Sequence, residues 1–435
     1  MGWVSQTGDT VIDKFGMHFV LGAEIGRGGE GTVFATQAGG AAVKIINNSS
    51  VTREDLEKRI SQVTRLPVLD LPVAIPRSVL TGSEVGYSMT LVTGMVSLSD
   101  LILPSVSSPF TESWYRESGG IRKRLLVLEA LAEVISSLHA RGLVYCDLSA
   151  NNVLISKSIE RSQIFLIDLD NLRYSTESPR RIWTSPYSAP EQSDFGASQS
   201  TDDFCLAILV FCILTGCNPF YGQALDVATP EEYENLPFAK SAPWIDDPSD
   251  GTNQWSSCID RRLVISPLLY KLLAETFTIG RFQPRSRHSA TEYAIAVRRA
   301  LHALYKCKEC GWDNYVSSQQ CESCGCAREL CVAKVFYEFD GLLQPFDLCP
   351  LLVLDDLRDC EVQGLTLGLL DATKAPCLII RKNTKRYQVE LRNKELQFLD
   401  SLDPMTEVDS NENLVITRKN RSSLVFKFEK LSGVK

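Results

Sequence analysis

Tyr145-Cys146-Asp147-Leu148-Ser149-Ala150-Asn151-Asn152-Val153-Leu154 is the stretch on which the reading of this 435-residue chain turns. An acid, Asp147, is followed five residues later by an amide, Asn152, ahead of an apolar run. That arrangement suits phosphoryl transfer from a nucleotide. The carboxylate accepts or orients the proton of an attacking hydroxyl, and the amide carbonyl holds a metal ion on the phosphates. In isolation the pattern arises by chance, so its weight comes from what stands in order around it.

Upstream, Gly26-Arg27-Gly28-Gly29-Glu30-Gly31-Thr32-Val33 fits G-x-G-x-x-G-x-V. Its glycines let a hairpin close over phosphates without Cβ clashes. Phe19-Val20-Leu21 and Thr32-Val33-Phe34 read as strands, so the loop joins strand to strand; a dinucleotide fold needs a helix after it. Next comes Ala41-Ala42-Val43-Lys44-Ile45-Ile46, a lysine inside an apolar strand, which is costly unless the charge is paired. Phosphates and a helix glutamate are its expected partners. Glu54 and Glu57 lie three apart in the following helix and share a face; Glu57 is preferred, with Glu54 open. Downstream, Asp168 follows the apolar strand Ile164-Phe165-Leu166. Thr184-Ser185-Pro186-Tyr187-Ser188-Ala189-Pro190-Glu191 fits T-x-x-Y-x-A-P-E, and Asp202-Asp203-Phe204-Cys205-Leu206-Ala207 opens an apolar helix.

Taken together, residues 15 to 303 resemble the eukaryotic-type Ser/Thr protein kinases. The resemblance implies an α+β, bilobal protein-kinase fold, with an N-lobe over 1–95 and a C-lobe over 96–303. It implies Asp147, Lys44, Asn152, Asp168 and Glu57 as catalytic residues, and Asn152 and Asp168 as ligands of Mg²⁺ or Mn²⁺. It places ATP contacts at Gly26, Gly28, Gly31, Val33, Ala42, Lys44, Leu91 and Thr93. Arg287 is expected to pair with Glu191, Thr184 to contact Asp147, and His139 to be structural. The implied activity is transfer of the γ-phosphoryl group of ATP to Ser/Thr hydroxyls of itself and of a protein substrate.

Several positions depart from the family pattern. Tyr145-Cys146 replaces His-Arg, Ser149 stands where Ser/Thr kinases carry a lysine, and Leu169-Asp170 replaces Phe-Gly. No arginine precedes Asp147 to meet a phosphorylated loop. An ATP-binding pseudokinase scaffold is therefore an alternative, and a small-molecule kinase another. The A-P-E segment argues against the latter, because small-molecule kinases generally lack that peptide platform.

Beyond the kinase-like region, Cys307-Lys308-Glu309-Cys310-Gly311 and Cys321-Glu322-Ser323-Cys324-Gly325 are two C-x-x-C-G knuckles separated by ten residues. This spacing predicts that Cys307, Cys310, Cys321 and Cys324 hold one structural Zn²⁺ within a finger over 304–329, with Cys326 a spare thiol beside it. The finger resembles the Ran-binding-protein type, with Tyr305 where that family has tryptophan. Residues 330–435 read as a small β-rich domain, a candidate docking module, with strands at Val332–Tyr337, Cys377–Arg381, Arg386–Leu391, Leu414–Thr417 and Leu424–Phe428.

Net charge of −8 gives no electrostatic case for nucleic-acid or membrane binding. The N-terminus lacks a signal-peptide pattern, the longest apolar run, Phe204–Leu214, is too short to span a bilayer, and several of the fourteen cysteines fall in core segments. Those features predict a reduced, cytoplasmic protein. The zinc knuckles combined with the divergent Asp147–Asn152 and Asp168–Asn171 segments resemble a bacterial kinase subgroup. That subgroup tends to be encoded beside a metal-dependent protein phosphatase and a von Willebrand A-domain protein, which makes both implied partners.

Overall fold

A computed structural model describes residues 6–28, 31–48, 51–104, 109–159, 162–225, 229, 238–255, 259–339, 341–354, 359–363, 365–367, 376–382, 386–392, 396–398, 404–409, 411–418 and 422–432. Gly29 and Glu30 of the glycine-rich segment lie outside the described residues. Two compact units make up the chain: residues 1–110, 130–256 and 273–291, and residues 111–129, 257–272 and 292–435. The division falls elsewhere than the composition boundaries.

In the first unit, β1 (Thr10–Asp13), β2 (His18–Arg27), β3 (Gly31–Thr36), β4 (Ala41–Ile46), β5 (Pro76–Thr81) and β6 (Gly86–Thr90) close into a barrel in the order β1-β2-β3-β4-β6-β5. Alternating apolar residues explain it: Val11, Leu21, Phe34, Val43, Ile45 and Leu80 form one buried cluster. Helix α1 (Arg53–Val63) starts at Thr52, whose side chain accepts from the Asp55 N–H. It buries Leu56, Ile60 and Val63, and Leu56 and Ile60 pack with Val79 and Tyr87 of the barrel.

Short strands carry the loops of the site: β7 (Met95–Ser97), β8 (Leu143–Val144), β9 (Val153–Ser156) and β10 (Ile164–Leu166). The β10-β9-β7 sheet sets the Asp147–Asn152 and Asp168 segments at the ends of adjacent antiparallel strands. The helix Gln199–Thr215 is buried along nearly its whole length and begins with a capping box of Ser198 and Thr201. Among the described residues no helix is long and apolar enough to cross a membrane.

Arg287 anchors this unit. It donates to both Glu191 carboxylate oxygens at 2.6 and 2.7 Å, and to the Gly280 and Ser200 carbonyls. Its side chain is 1% exposed. Breaking a buried pair leaves an uncompensated charge, so Arg287→Ala should lower the unfolding free energy by about 3 kcal/mol or more, read by urea denaturation.

The second unit holds the cysteine knuckles and two antiparallel sheets. Glu329–Phe339 pairs with Leu342–Pro345, Leu351–Leu354 and Ser423–Ser432, and Asn413–Arg418 and Leu396–Phe398 extend that sheet. Cys360–Gln363, Pro376–Lys382, Arg386–Leu391 and Met405–Asp409 form the other. Both contribute to one core, including Ala333, Val335, Leu352, Leu378, Val389, Ile416 and Phe426. The five tail strands expected from the sequence lie within observed strands. A helix, Glu112–Glu117, is capped by Thr111. The helix Ala290–His302 is followed by a strand, Leu304–Lys306, paired with Asp313–Tyr315.

Candidate active site and cysteine cluster

Asp147, Asn152, Lys44 and Asp168 converge at one end of the β9–β10 pair. Asn152 Nδ2 donates to Asp147 Oδ2 at 3.1 Å and to the Asp147 carbonyl at 2.9 Å. The amide is thereby oriented, leaving Oδ1 as its acceptor. Thr184 Oγ1 donates to Asp147 Oδ1 at 2.7 Å, tying the segment Thr184–Glu191 to the carboxylate.

The loop that presents Asp147 is held by its backbone. Asp202 accepts the N–H of Tyr145 at 2.7 Å and of Cys146 at 3.0 Å, and Gln192 Nε2 donates to the Cys146 carbonyl at 2.9 Å. These bonds sustain Cys146 at φ 81°, a left-handed conformation costly for a side-chain-bearing residue. His139 Nε2 lies 3.2 Å from Asp202 Oδ2. Burial alone would lower the His139 pKa; the Asp202 bond and the Asp202 and Asp203 charges outweigh it and raise it. Burial also pushes the Cys146 thiol up to about 12, so this cysteine is an inert wall rather than a nucleophile.

Asp168 stands at φ 62°, also left-handed. Its carboxylate pairs with Lys44 and accepts from Tyr87 Oη at 3.2 Å. Burial would raise its pKa, but the Lys44 charge and hydrogen bond, together with hydrogen bonds to Asp170 and Tyr87, outweigh it and hold the group below the usual carboxylate range. Tyr87 faces Lys44 across the β4–β6 pair. Tyr145 Oη donates to the Ile167 carbonyl, fixing the residue before Asp168. The sequence reading missed both tyrosines as supporting residues; Tyr87 depends on strand register, whereas Tyr145 was noticed only as a replacement.

The helix glutamate is a correction. Glu57 does not reach Lys44: its side chain is 51% exposed and its Oε1 lies 3.3 Å from Lys14 Nζ. Glu54 is exposed too. The cause is the rotation of α1, which turns Leu56, Ile60 and Val63 inward and both glutamates outward. Asp170 supplies the second carboxylate near Lys44, at 4.0 Å.

The nucleotide-contact positions take varied places. Gly26 and Gly28 have nothing within 4 Å of where a Cβ would sit, whereas a Cβ on Gly31 would meet the Ile45 carbonyl at 2.2 Å. Gly31 is thus fixed by close strand packing, and the surroundings of the first two are open. Ala42 is buried and Val33 half-buried on adjacent strands; Leu91 is half-buried and Thr93 exposed on the link between β6 and β7. These donors fit a metal-bound triphosphate: a buried ammonium, a carboxylate depressed into its charged form, and an oriented amide.

In the second unit, the sulfurs of Cys307, Cys310, Cys321 and Cys324 lie within 4.8 Å of one another. The Cys307–Cys324 and Cys310–Cys321 separations are 3.7 and 3.5 Å. Zn–S bonds of about 2.3 Å set tetrahedral edges of roughly 3.8 Å, so the cluster has the right size for zinc. Gly311 and Gly325 adopt φ of 74° and 72°, and their N–H groups turn back to Cys307 and Cys321 carbonyls at 2.9 and 2.8 Å. Asn314 Nδ2 reaches Cys321 Sγ at 3.5 Å. Cys326 Sγ is 3.2 Å from Cys307 Sγ, placing the spare thiol against the cluster. Trp312 packs against Tyr115, at 5.9 Å, and against the Arg116 guanidinium, at 5.1 Å. Arg116 also donates to the Cys310 carbonyl at 2.9 Å.

The family described as protein kinase domain matches residues 19–295. The chain is 28% identical over 297 residues to "Serine/threonine-protein kinase pkn2" of Myxococcus xanthus, covering 64% of this chain and 32% of that protein. It is 26% identical over 229 residues to "Probable serine/threonine-protein kinase pXi" of Dictyostelium discoideum, covering 50% and 31%. Over 101 residues it is 33% identical to "Ribosomal protein S6 kinase alpha-2" of Mus musculus, covering 22% and 13%. The chain thus spans about a third of the length of the first two relatives. With the family match running over residues 19–295 of 435, well over half, this chain belongs to the protein kinase domain family.

Proposed function

We propose that the chain is an ATP-dependent Ser/Thr protein kinase that phosphorylates itself and a protein partner. The observation that carries this is the joint placement of Asp147, Asn152, Lys44 and Asp168, with Thr184 bonded to Asp147. Asp147 receives or orients the proton of the attacking hydroxyl, and Thr184 fixes its carboxylate. Lys44 offsets phosphate charge. Asn152 and Asp168 are the residues that would hold Mg²⁺ or Mn²⁺, which supplies charge neutralisation on the phosphates when bound. Gly26, Gly28, Gly31, Val33, Ala42, Leu91 and Thr93 are the proposed walls of the ATP site. The Arg287–Glu191 anchor supports a peptide-docking segment, which favours a protein substrate over a small molecule.

The test is incubation of the purified chain with labelled ATP and each metal, beside Asp147→Asn. Transfer by the wild type and none by the variant supports an enzyme. Nucleotide binding without transfer in either makes it a scaffold. Ser175, Thr176 and Ser178 are exposed in the activation segment and are the expected sites of autophosphorylation. Mass spectra of active protein with no phosphate between Asp170 and Glu191 would remove that assignment.

The four-cysteine cluster is proposed to hold one structural Zn²⁺, and the cytoplasm, which keeps thiols reduced, is the proposed location. A metal-dependent phosphatase and a von Willebrand A-domain protein are the proposed partners, on the narrower subgroup resemblance; binding of each purified protein to this chain tests it. The β-rich region at 330–435 is the proposed docking module.

A further inference from the structure

We propose that Asp170 is the carboxylate that positions Lys44, with Arg59 of α1 as its counter-charge. This reverses the arrangement expected from the sequence, in which a helix acid meets the strand lysine. The proposal rests on the kinase reading above, because it needs Asp168 for the metal.

Asp170 lies on the turn Leu169–Asn171 with its side chain 2% exposed. A carboxylate so buried is sustained only by cations or by several hydrogen bonds. Two cations face it from different elements. Lys44 Nζ of β4 lies 4.0 Å from Oδ1, and Arg59 Nη1 of α1 lies 3.6 Å from Oδ2. Each cation therefore addresses its own oxygen. The helix presents an arginine to this point, while Glu57 turns to Lys14.

Asp168 is the nearer partner of Lys44 in this structure. Its carboxylate, however, is the one assigned to the metal, and it cannot serve as a fixed orienting group at the same time. Asp170 can, since Arg59 pairs with its other oxygen and the group is buried. The residue that replaces the family's hinge glycine thus takes over the task of the missing helix glutamate. It touches no substrate atom on this reading and acts through Lys44.

A double-mutant cycle on ATP binding separates this role from a merely structural one. The full-length chain, Asp170→Asn, Lys44→Ala and the double variant are titrated with Mg·ATP by calorimetry, with thermal unfolding of each recorded. Asp170→Asn should weaken ATP binding about tenfold in the wild-type background and less than about twofold in the Lys44→Ala background, the mark of action through one partner. Arg59→Gln should act in the same way but more weakly, and it serves where Asp170→Asn does not fold. Equal losses in both backgrounds overturn the proposal, as does wild-type affinity in Asp170→Asn. An increased Mg²⁺ requirement for ATP binding in Asp170→Asn, with the cycle additive, would make Asp170 a metal ligand and also overturn it. Absence of phosphoryl transfer by the wild type would instead count against the kinase reading and leave the binding cycle readable.

Discussion

Lys44→Ala and Asp168→Ala should each reduce phosphoryl transfer by at least about 10²- to 10³-fold, the cost of removing one preorganised group that stabilises transition-state charge. The two variants remove different things. Lys44→Ala takes away a buried ammonium held by Asp168 and by Asp170. Asp168→Ala takes away a carboxylate that burial would otherwise push toward the neutral form. Their structural costs should differ as well. After Asp168→Ala, Lys44 still faces Asp170, so no cation is stranded, and the variant should stay folded by thermal unfolding. Assays with labelled ATP at saturating Mg²⁺ check the first claim. Full activity in either folded variant would end the assignment of these residues.

The parts of the site legible in the sequence are those fixed over a few residues. Asp147 and Asn152 share one loop, and their spacing lets the amide bond the acid. Lys44 is conspicuous because a charge inside an apolar strand needs a partner. The identity of that partner was not legible from short spacing. It depends on the rotation of α1 about its axis. Leu56 and Ile60 alone leave Glu57 and Arg59 equally placed on either side of the apolar stripe, and Val63 tips the stripe toward Arg59. Extending the helical pattern by that one residue would have favoured the arginine. Tyr87 was beyond reach for another reason: its place opposite Lys44 follows from a pairing register between strands. The grouping of the knuckles with residues 111–129 is likewise long-range, resting on contacts such as Arg116 to Cys310. Composition shifts mark segments, not the partners that segments choose.

The largest expected effect outside the ATP site concerns the cysteines. The purified wild type should carry one Zn²⁺ per chain by elemental analysis, and Cys310→Ser combined with Cys324→Ser should carry none. These two are chosen because Cys324 is exposed and Cys310 half-buried, so serine there disturbs little packing, whereas Cys307 and Cys321 are buried. Both are replaced because Cys326, at 3.2 Å from Cys307, could stand in for one lost ligand. Four thiolates leave no open position for substrate, so an ion held there would be structural. Zinc binding in finger peptides is worth about 10–16 kcal/mol, comparable with the whole stability of a domain, so its loss should unfold the segment 304–329. The contacts that Trp312 and the Cys310 carbonyl make with Arg116 would go with it. Chymotryptic cleavage at Trp312, buried in the intact protein, should then appear within minutes in the variant and not in the wild type. ATP binding through Lys44 and Asp168 should survive, because both lie in the other compact unit. A wild type without zinc, or freshly prepared protein in which these cysteines are joined as disulfides, would refute the metal reading.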